Sequence, residues 1–179
     1  MKNIIIILST LIGLVACEVT DIDPKEDIPQ ELAFNSESSI QATIAGCYDN
    51  LQSSGYYGRN YTVIPDLLAN NLDHNGTTQE YAEFTNNAVQ SDNFIIDAIW
   101  SSIYDGINRA NMVIANIDDA GLTQDDKNMY LAHAHFIRAI NHFNLVRLFG
   151  AIPIKKIPST KPGAHLNVKR SPVDTVYKQ

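Results

Sequence analysis

Apolar residues recur along most of the chain with the 3.6-residue period of an amphipathic α-helix. The clearest stripe begins just after Asp92, a suitable helix N-cap, and ends before Gly121, a residue type suited to the left-handed turn that closes helices. The stripe comprises Ile96, Ile99, Trp100, Ile103, Tyr104, Ile107, Ala110, Ile114 and Ile117. This pattern predicts a long helix between Asp92 and Gly121. Gly106 would let a neighbouring helix approach closely, and the amide of Asn111, inside the stripe, must find hydrogen-bond partners.

A second long helix is predicted between Thr123 and Gly150. Thr123 and Asp126 have the spacing of a capping box, with Asp in place of the usual Glu or Gln, and Gly150 is a typical helix terminator. Two long helices joined by a short turn make an antiparallel hairpin, and their period of about 30 residues is similar to that of tetratricopeptide units. We therefore predict an all-α fold made of tetratricopeptide-like helical hairpins of the α-solenoid type.

The C-terminal part of this second helix carries apolar side chains on two opposite sides. Phe136, Ile140 and Phe143 form the main face, and Leu145 and Phe149 point almost the opposite way. This arrangement predicts a core helix sandwiched between other helices, and the charges that interrupt it argue against a membrane span. Arg147 projects from the main face, so we expect it to be buried beside a carboxylate or a carbonyl group. Arg138 and Asn144 are expected to be buried or half-buried.

A shorter helix is predicted after Asn35 or Ser36, either of which can serve as its N-cap. Its apolar stripe comprises Ile40, Ile44, Cys47, Tyr48 and Leu51. Cys47 lies on that stripe, and no histidine is close to it in sequence. We therefore interpret it as a buried thiol and not as a nucleophile.

The segment that follows is less regular. The glycines of residues 55–58 break the first helix, and a weaker helical segment follows over residues 61–72, where Pro65 marks either a kink or the true start. Residues 73–91 are polar, contain an Asn-Gly turn, and are predicted to form the longest irregular stretch. Long loops in compact domains often carry function, so this stretch is a candidate binding region.

The N-terminus is typical of a targeting signal. Residues 4–15 are almost wholly apolar but are too few to span a bilayer, which takes roughly 20 residues. The run ends in Leu14-Val15-Ala16-Cys17, which resembles the lipobox of bacterial lipoproteins, where the cysteine receives a lipid. We predict a signal peptide over residues 1–16, lipidation at Cys17, an acidic tether over residues 17–35 and a helical domain over residues 36–179. The alternative is a plain secretory signal followed by an incidental cysteine.

The charge balance narrows the class of partner. The chain has a formal net charge of −7 at pH 7, which argues against nucleic-acid binding and against electrostatic docking on anionic lipid. Membrane attachment would therefore depend on the lipid at Cys17. The only other cysteine is Cys47, so a lipidated Cys17 leaves no internal disulfide.

One group of residues has the composition of a sugar-binding site. Sugar binding needs aromatic faces for C–H groups and amide, carboxylate or guanidinium groups for hydroxyls. We select as ligand-binding candidates Tyr57, Arg59, Asn60, Asp73, His74, Asn75 and Tyr81. The alternative is that the tyrosines pack on the helices and the polar residues face water. Trp100 lies in the helical stripe and is interpreted as a core residue.

Neither catalytic nor metal-binding motifs are found. His133 and His135 are two residues apart, and His135 and His142 are separated by two helical turns, so neither pair suits a single zinc ion. The sequence contains no nucleophile elbow and no local Cys-His pairing. A carboxylate pair of the glycosidase type could still be brought together by folding. We expect no catalytic residues, no metal and no cofactor.

Two stretches resemble the N-terminal part of the SusD/RagB family of Bacteroidetes outer-membrane lipoproteins. From Trp100 the chain reads WSSIYDGINRANMVIANI, which matches the family spacing W-x-x-x-Y-x-x-I-x-x-A-N. From Phe136 it reads FIRAINHFNLVRLFGAIPI, which matches F-L-R-A…F-x-L-V-R-x-F-G-x-x-P. The lipobox and the acidic tether agree with the family. His133 and His135 stand where the family commonly has an acidic and then a basic residue, which puts one local ion pair in doubt.

The resemblance implies a surface lipoprotein of the outer membrane that binds oligosaccharides or other nutrients, such as peptides. Its implied partner is a SusC-like TonB-dependent transporter, and no catalysis is implied. Family members are considerably longer, so the chain is expected to be a fragment or a truncated reading frame. The alternative is a tetratricopeptide-like lipoprotein adaptor that binds only protein partners, with a surface glycosidase as a more distant third hypothesis.

Overall fold

The computed structural model describes residues 33–159 and 167–179. Within these residues the chain forms the helices α1 (Glu37–Leu51), α2 (Asn60–Leu68), α3 (Gln79–Thr85), α4 (Phe94–Asn116), α5 (Gln124–Phe149) and α6 (Val173–Tyr177), with a 3₁₀ turn at Ile117–Ala120. The described part has no regular strand, only an antiparallel bridge between Ile152 and Ser171. The all-α prediction is confirmed. The predicted signal peptide, Cys17 and most of the predicted tether lie outside the described residues.

Helices α4 and α5 form the predicted antiparallel hairpin. The N-cap of α4 is Asn93 and not Asp92 as predicted, because the Asn93 side chain accepts hydrogen bonds from Ile95 N at 3.0 Å and Ile96 N at 3.4 Å. Gly121 closes the 3₁₀ turn in the left-handed region with a φ of 64°. Thr123 then caps α5 by accepting a hydrogen bond from Asp126 N at 3.3 Å, as its spacing predicted.

The core has two parts, both built on this hairpin. The first lies where α1 crosses the C-terminal half of α4 and the N-terminal half of α5, and contains Ile40, Ile44, Cys47, Ala110, Val113, Ile117, Tyr130, Ala134 and Ile137. The second lies where α2, α3 and α6 meet the other end of the hairpin, and contains Tyr56, Ile64, Leu67, Phe84, Ile95, Ile99, Ile103, Ile107, Leu145, Val146, Ile152 and Val176. Cys47 is fully buried as predicted, and burial raises the pKa of its thiol to about 11.

The predicted orientation of α5 is wrong. Phe136 and Phe143, assigned to the centre of its main buried face, are 54% and 45% exposed, whereas Leu145, assigned to the opposite side, is fully buried. Arg147 is exposed, and its guanidinium lies 5.2 Å from the centroid of the Phe143 ring instead of beside a buried partner. The core side of α5 includes several amides, so apolar periodicity selected the wrong one of its two apolar faces. Within the described residues, no helix combines the length and apolarity that a membrane crossing needs.

The amide of Asn111 has the hydrogen-bond partners that its predicted position in the apolar stripe requires. Its Oδ1 accepts a hydrogen bond from Arg138 Nη1 at 3.1 Å, and its Nδ2 donates to the carbonyl oxygens of Lys155 at 3.2 Å and Ile157 at 3.3 Å. Arg138 is half-buried, as predicted. His133 lies with Nδ1 2.8 Å from the hydroxyl of Tyr48 on α1. These bonds join α4 to α5 and to the segment that follows α5, and they join α5 to α1.

Gly106 on α4 faces buried side chains of both α1 and α5. A Cβ at this position would lie 2.7 Å from Asn141 Nδ2 on α5 and closer still to Asn50 Oδ1 on α1. Both amides are buried. The prediction that Gly106 permits a close helix contact is therefore confirmed, and the contact involves polar side chains.

Substituting Gly106 with Ala is expected to destabilise the protein by about 1–3 kcal/mol, because the new methyl group overpacks the contact with the two amides. Gly46→Ala on α1 is the matched control. Its Cβ would lie 3.8 Å from the nearest atom, Arg109 Nη1, so it should stabilise by about 0.5–1 kcal/mol through helix propensity. Urea unfolding midpoints at constant slope measure both changes. Equal effects of the two substitutions would contradict the close contact.

Candidate functional site

Three tyrosines converge on one amide beside the C-terminal end of α5. Asn144 donates from Nδ2 to the hydroxyl oxygens of Tyr56 and Tyr57, the latter at 2.8 Å, and its Oδ1 accepts from the Tyr61 hydroxyl at 2.8 Å. The ring centroids of these tyrosines lie 4.5, 5.4 and 4.8 Å apart. We call Tyr56, Tyr57, Tyr61 and Asn144 the Asn144 cluster. Because Asn144 and Tyr56 are both buried, the cluster anchors the turn between α1 and α2 to the hairpin.

That turn is tight enough to require glycine. A Cβ at Gly58 would lie 2.7 Å from the carbonyl oxygen of Ser53 and closer still to that of Gln52. The chain therefore folds back on the last turn of α1, as the glycines predicted. The fold-back places Arg59 and Asn60 directly after the anchored tyrosines, at the start of α2.

Arg59 and Asn60 meet two other predicted site residues here. Asn60 Oδ1 accepts hydrogen bonds from Arg59 Nε at 3.1 Å and from the Tyr81 hydroxyl at 2.7 Å. The Arg59 guanidinium lies 5.9 Å from the centroid of the Tyr81 ring, and the His74 ring lies 5.4 Å from that ring at an interplanar angle of 38°. We call Arg59, Asn60, His74 and Tyr81 the Arg59 cluster. Asn60 is only 2% exposed, so the exposed guanidinium is hydrogen-bonded to a buried acceptor.

Arg59 keeps donor groups available for a ligand. Among the described residues, ion pairs join Arg109 to Asp105 at 2.9 Å and Lys127 to Asp118 at 3.2 Å, so no described carboxylate neutralises Arg59. Its guanidinium carries five N–H donors, of which the hydrogen bond to Asn60 uses one. The free donors of Arg59 can bind the hydroxyl oxygens of a sugar, and the half-buried ring of Tyr81 can pack against its C–H groups.

The other predicted site residues do not join this cluster. Tyr57 belongs to the Asn144 cluster, so the alternative that tyrosines pack on helices applies to it. Asp73 and Asn75 flank His74 and are exposed. Within the described residues, no hydrogen bond ties either side chain to the Arg59 cluster. Four of the seven candidates are therefore brought together, while these two lie beside them in the same loop.

The loop over residues 73–91, predicted to be irregular, contains the short helix α3, which is fixed to the hairpin. Asn93, the cap of α4, donates from Nδ2 to Glu83 Oε2 at 2.7 Å and to the Glu80 carbonyl oxygen at 3.1 Å. Glu83 also accepts from Gln90 N at 2.9 Å. Hydrogen bonds from Gln90 N and Asn93 lower the pKa of the Glu83 carboxyl. Glu83 therefore orients α3, and with it Tyr81, relative to α4.

A cavity that the sequence did not predict lies at the start of α4, apart from the Arg59 cluster. It has a volume of about 590 Å³, and its lining includes Asp92, Asp97, Phe94, Trp100, Phe149 and Arg170. Trp100 was predicted to be a core residue and is half-buried, with its ring 4.9 Å from that of Phe149. Phe94 is exposed, and its place off the apolar stripe was the signal that could have revealed this cavity.

The described residues contain no group of three or more His, Cys, Asp or Glu side chains placed to hold a metal ion. The Arg59 cluster has one cationic group, one amide and two rings, and its hydrogen bonds lead from Arg59 and Tyr81 to Asn60. This arrangement can bind and orient a polar ligand.

Comparison with known proteins gives a family match over most of the chain. Residues 21–179 match a SusD-like family described as starch-binding and associating with the outer membrane. SusD-like protein P2 of Formosa agariphila is 31% identical over 179 residues, covering 97% of this chain and 34% of that protein. SusD-like protein P25 of the same organism is 24% identical over 168 residues, covering 88% and 32%. The chain spans about a third of the length of the curated relatives it matches.

Solved structures share the fold. A SusD homologue from Bacteroides thetaiotaomicron superposes with a TM-score of 0.68 at 21% identity, over 83% of this chain and 29% of that chain. A SusD superfamily protein from the same organism gives 0.66 at 25% identity, over 79% and 34%. One from Parabacteroides distasonis gives 0.67 at 21% identity, over 86% and 32%. These likenesses confirm the helical, tetratricopeptide-like architecture.

Substituting Asn144 with Leu is expected to destabilise the protein by about 1–3 kcal/mol. Leu preserves most of the volume but leaves the buried Tyr56 hydroxyl without its partner. Asn128→Leu, at an exposed position of the same helix, is the control and should change stability by less than about 0.5 kcal/mol. Thermal or urea unfolding distinguishes the two. If Asn144→Leu proved as mild as the control, the cluster would not anchor the turn.

Proposed function

The chain belongs to the SusD-like family, and from that premise we propose that it forms part of an outer-membrane surface lipoprotein that binds oligosaccharides or other nutrients, such as peptides. The family description, starch-binding and associating with the outer membrane, supports a glycan as the ligand. The resemblance supports a SusC-like TonB-dependent transporter as the partner in uptake. The proposed role is binding and delivery, without catalysis.

The Arg59 cluster is the observation that carries the binding proposal. Its guanidinium is exposed and has no carboxylate partner among the described residues. Arg59 and Tyr81 both donate a hydrogen bond to Asn60, and this shared acceptor keeps the guanidinium beside the Tyr81 ring. A sugar ring can place its C–H face on Tyr81 and its hydroxyl oxygens within reach of Arg59. Asp73, His74 and Asn75 extend the same surface, and Tyr57 would act by supporting the turn.

The membrane attachment is proposed from the sequence. The apolar run of residues 4–15 leads directly into Leu14-Val15-Ala16-Cys17, so we propose cleavage after residue 16 and lipidation of Cys17. Several acyl chains, with about 0.8 kcal/mol for each buried CH₂ group, would hold the protein on the outer membrane. Residues 17–35 would then serve as the acidic tether between the lipid and the helical domain.

Replacing Cys17 with Ala is expected to abolish lipid labelling and release the protein from the membrane fraction, since the acyl chains would have no attachment site. The chain offers a matched control, because Cys47 is its only other cysteine and is buried. Cys47→Ala should retain both labelling and membrane association. Metabolic labelling with a radioactive fatty acid, followed by membrane fractionation, measures both. Continued labelling of the Cys17 variant would refute the anchor.

Arg59→Ala is expected to weaken glycan binding at least about tenfold, the loss expected when hydrogen bonds to a charged donor are removed. Tyr81→Ala should weaken it through loss of the ring, whereas Tyr81→Phe, which keeps the ring, should weaken it less. Arg109→Ala is the control, because this exposed arginine pairs with Asp105 elsewhere on α4. Titration calorimetry against maltoheptaose and a panel of other oligosaccharides gives the affinities.

Two outcomes of that titration would count against the proposal. If glycans bind but neither Arg59→Ala nor Tyr81→Ala alters affinity, the binding site lies elsewhere. If no oligosaccharide binds, the protein-adaptor alternative gains. Recovery of a barrel transporter with the lipid-anchored chain would favour the uptake proposal over that alternative. Circular dichroism of each variant verifies that the fold is unchanged.

A further inference from the structure

A groove between α5 and α6 contains hydrogen-bonding groups that the proposed function does not use. It has a volume of about 360 Å³. Its lining includes His135, Arg138, His142, Phe143, Val176 and Tyr177. We call it the α5–α6 groove. It shares no lining residue with the Arg59 cluster.

His142 offers a hydrogen-bond acceptor in this groove. Its Nδ1 lies 3.0 Å from the carbonyl oxygen of Arg138, one turn earlier on the same helix. A carbonyl oxygen can only accept, so Nδ1 carries a proton and donates. Burial of the ring, which is only 2% exposed, lowers the pKa of His142 and keeps it neutral, so Nε2 presents a lone pair. That Nε2 is buried and has no hydrogen-bond partner among the described residues.

Arg138 and His135 supply donors beside that acceptor. Arg138 donates from Nη1 to Asn111, and its Nη2 lies 3.2 Å from His135 Nδ1. A guanidinium only donates, so His135 Nδ1 accepts this bond and its proton is on Nε2. Among the described residues, no carboxylate lies within ion-pair distance of Arg138. The groove thus combines an unpaired acceptor with free donors and lacks a neutralising acid.

Two exposed aromatic rings form the apolar part of the groove. Phe143 is 45% exposed and Tyr177 is 55% exposed, and their ring centroids lie 6.2 Å apart at an interplanar angle of 69°. Val176, buried against the core, holds α6 in place beside α5. The rings therefore flank the polar groups that line the groove.

These features select for a ligand group that both donates and accepts hydrogen bonds. A hydroxyl can donate to the Nε2 lone pair of His142, while other hydroxyl oxygens accept from Arg138 and His135. A carboxylate only accepts, so it would leave Nε2 unsatisfied and would place negative charge against a lone pair. The aromatic rings suit the C–H face of a sugar ring.

We propose that the α5–α6 groove is a second saccharide subsite, which takes a neutral sugar ring by hydrogen bonds to His142, Arg138 and His135 and by packing against Phe143 and Tyr177. The choice of a sugar as the hydroxyl-bearing ligand rests on the proposed function. The site itself is separate from the Arg59 cluster, so the two can be tested independently.

The test is a two-bond ¹H–¹⁵N spectrum of the histidine side chains, recorded during titration with maltoheptaose and other neutral oligosaccharides. The His142 Nε2 resonance should move as this nitrogen accepts a hydrogen bond, in the wild-type chain and equally in Arg59→Ala. A dicarboxylate without hydroxyl groups, such as succinate, should leave it unchanged. A shift with the dicarboxylate but not with neutral sugars would overturn the proposal.

Variants of exposed residues add a second readout without disturbing the core. Phe143→Ala and Tyr177→Ala should each weaken the affinity reported by the His142 resonance roughly three- to tenfold, as expected for the loss of an aromatic contact. Phe136→Ala is the matched control, because Phe136 is similarly exposed on α5 but lies outside the groove. Equal effects of all three substitutions would count against the groove.

The outcomes separate this proposal from the proposed function. If glycan binding depends on Arg59 but the His142 resonance never moves, the groove proposal fails and the proposed function stands. If the resonance moves but Arg59→Ala changes no affinity, the groove is supported and the Arg59 cluster is not the binding site. If no neutral oligosaccharide binds at all, both proposals are overturned.

Discussion

The structure depends on two buried amides, those of Asn111 and Asn144, and on the requirement that each finds hydrogen-bond partners. Leaving such a group unpaired costs about 1–3 kcal/mol, a large fraction of the stability of a small domain. Asn111 meets the requirement by binding Arg138 and the backbone after α5, and Asn144 by binding three tyrosine hydroxyls. Each of these two amides thereby holds a segment outside the hairpin. The loops are consequently positioned by the hairpin, although few of their residues are apolar enough to anchor themselves.

Hydrogen bonds to the hairpin also determine the geometry of the candidate site. Asn144 holds the tyrosines on either side of Arg59 and Asn60, so the start of α2 cannot move independently of α5. Asn93 and Glu83 fix α3 to the start of α4, and α3 carries Tyr81 to Asn60. Two separate anchors therefore converge on one hydrogen-bond acceptor. A ligand meeting Arg59 and Tyr81 would encounter groups that are already oriented, which reduces the entropy lost on binding.

The features that local apolar periodicity determines were predicted correctly from the sequence. The stripes of α1 and α4, the turn at Gly121 and the burial of Cys47 follow from apolar spacing and residue type. The orientation of α5 did not follow, because its buried side includes Asn141, His142 and Asn144 and its exposed side keeps two phenylalanines. Composition selected Arg59, Asn60, His74 and Tyr81 as ligand-binding candidates, and the fold brings these four together. It could not show that the hydroxyl of Tyr57 is used by Asn144, which is 87 residues away.

Both candidate sites combine unpaired arginine donors with aromatic rings in a chain of net charge −7. Long-range repulsion disfavours anionic ligands, and its effect falls off beyond roughly 8–10 Å at physiological salt. Close contact with Arg59 or Arg138 would attract an anion, but the lone pair of His142 adds a local penalty in the α5–α6 groove. Neutral polyhydroxylated ligands are not repelled by the net negative charge or by the His142 lone pair. Their hydroxyl groups can accept hydrogen bonds from the arginines and donate one to His142. Their selection would therefore depend on short-range hydrogen bonds and ring contacts, which depend little on ionic strength.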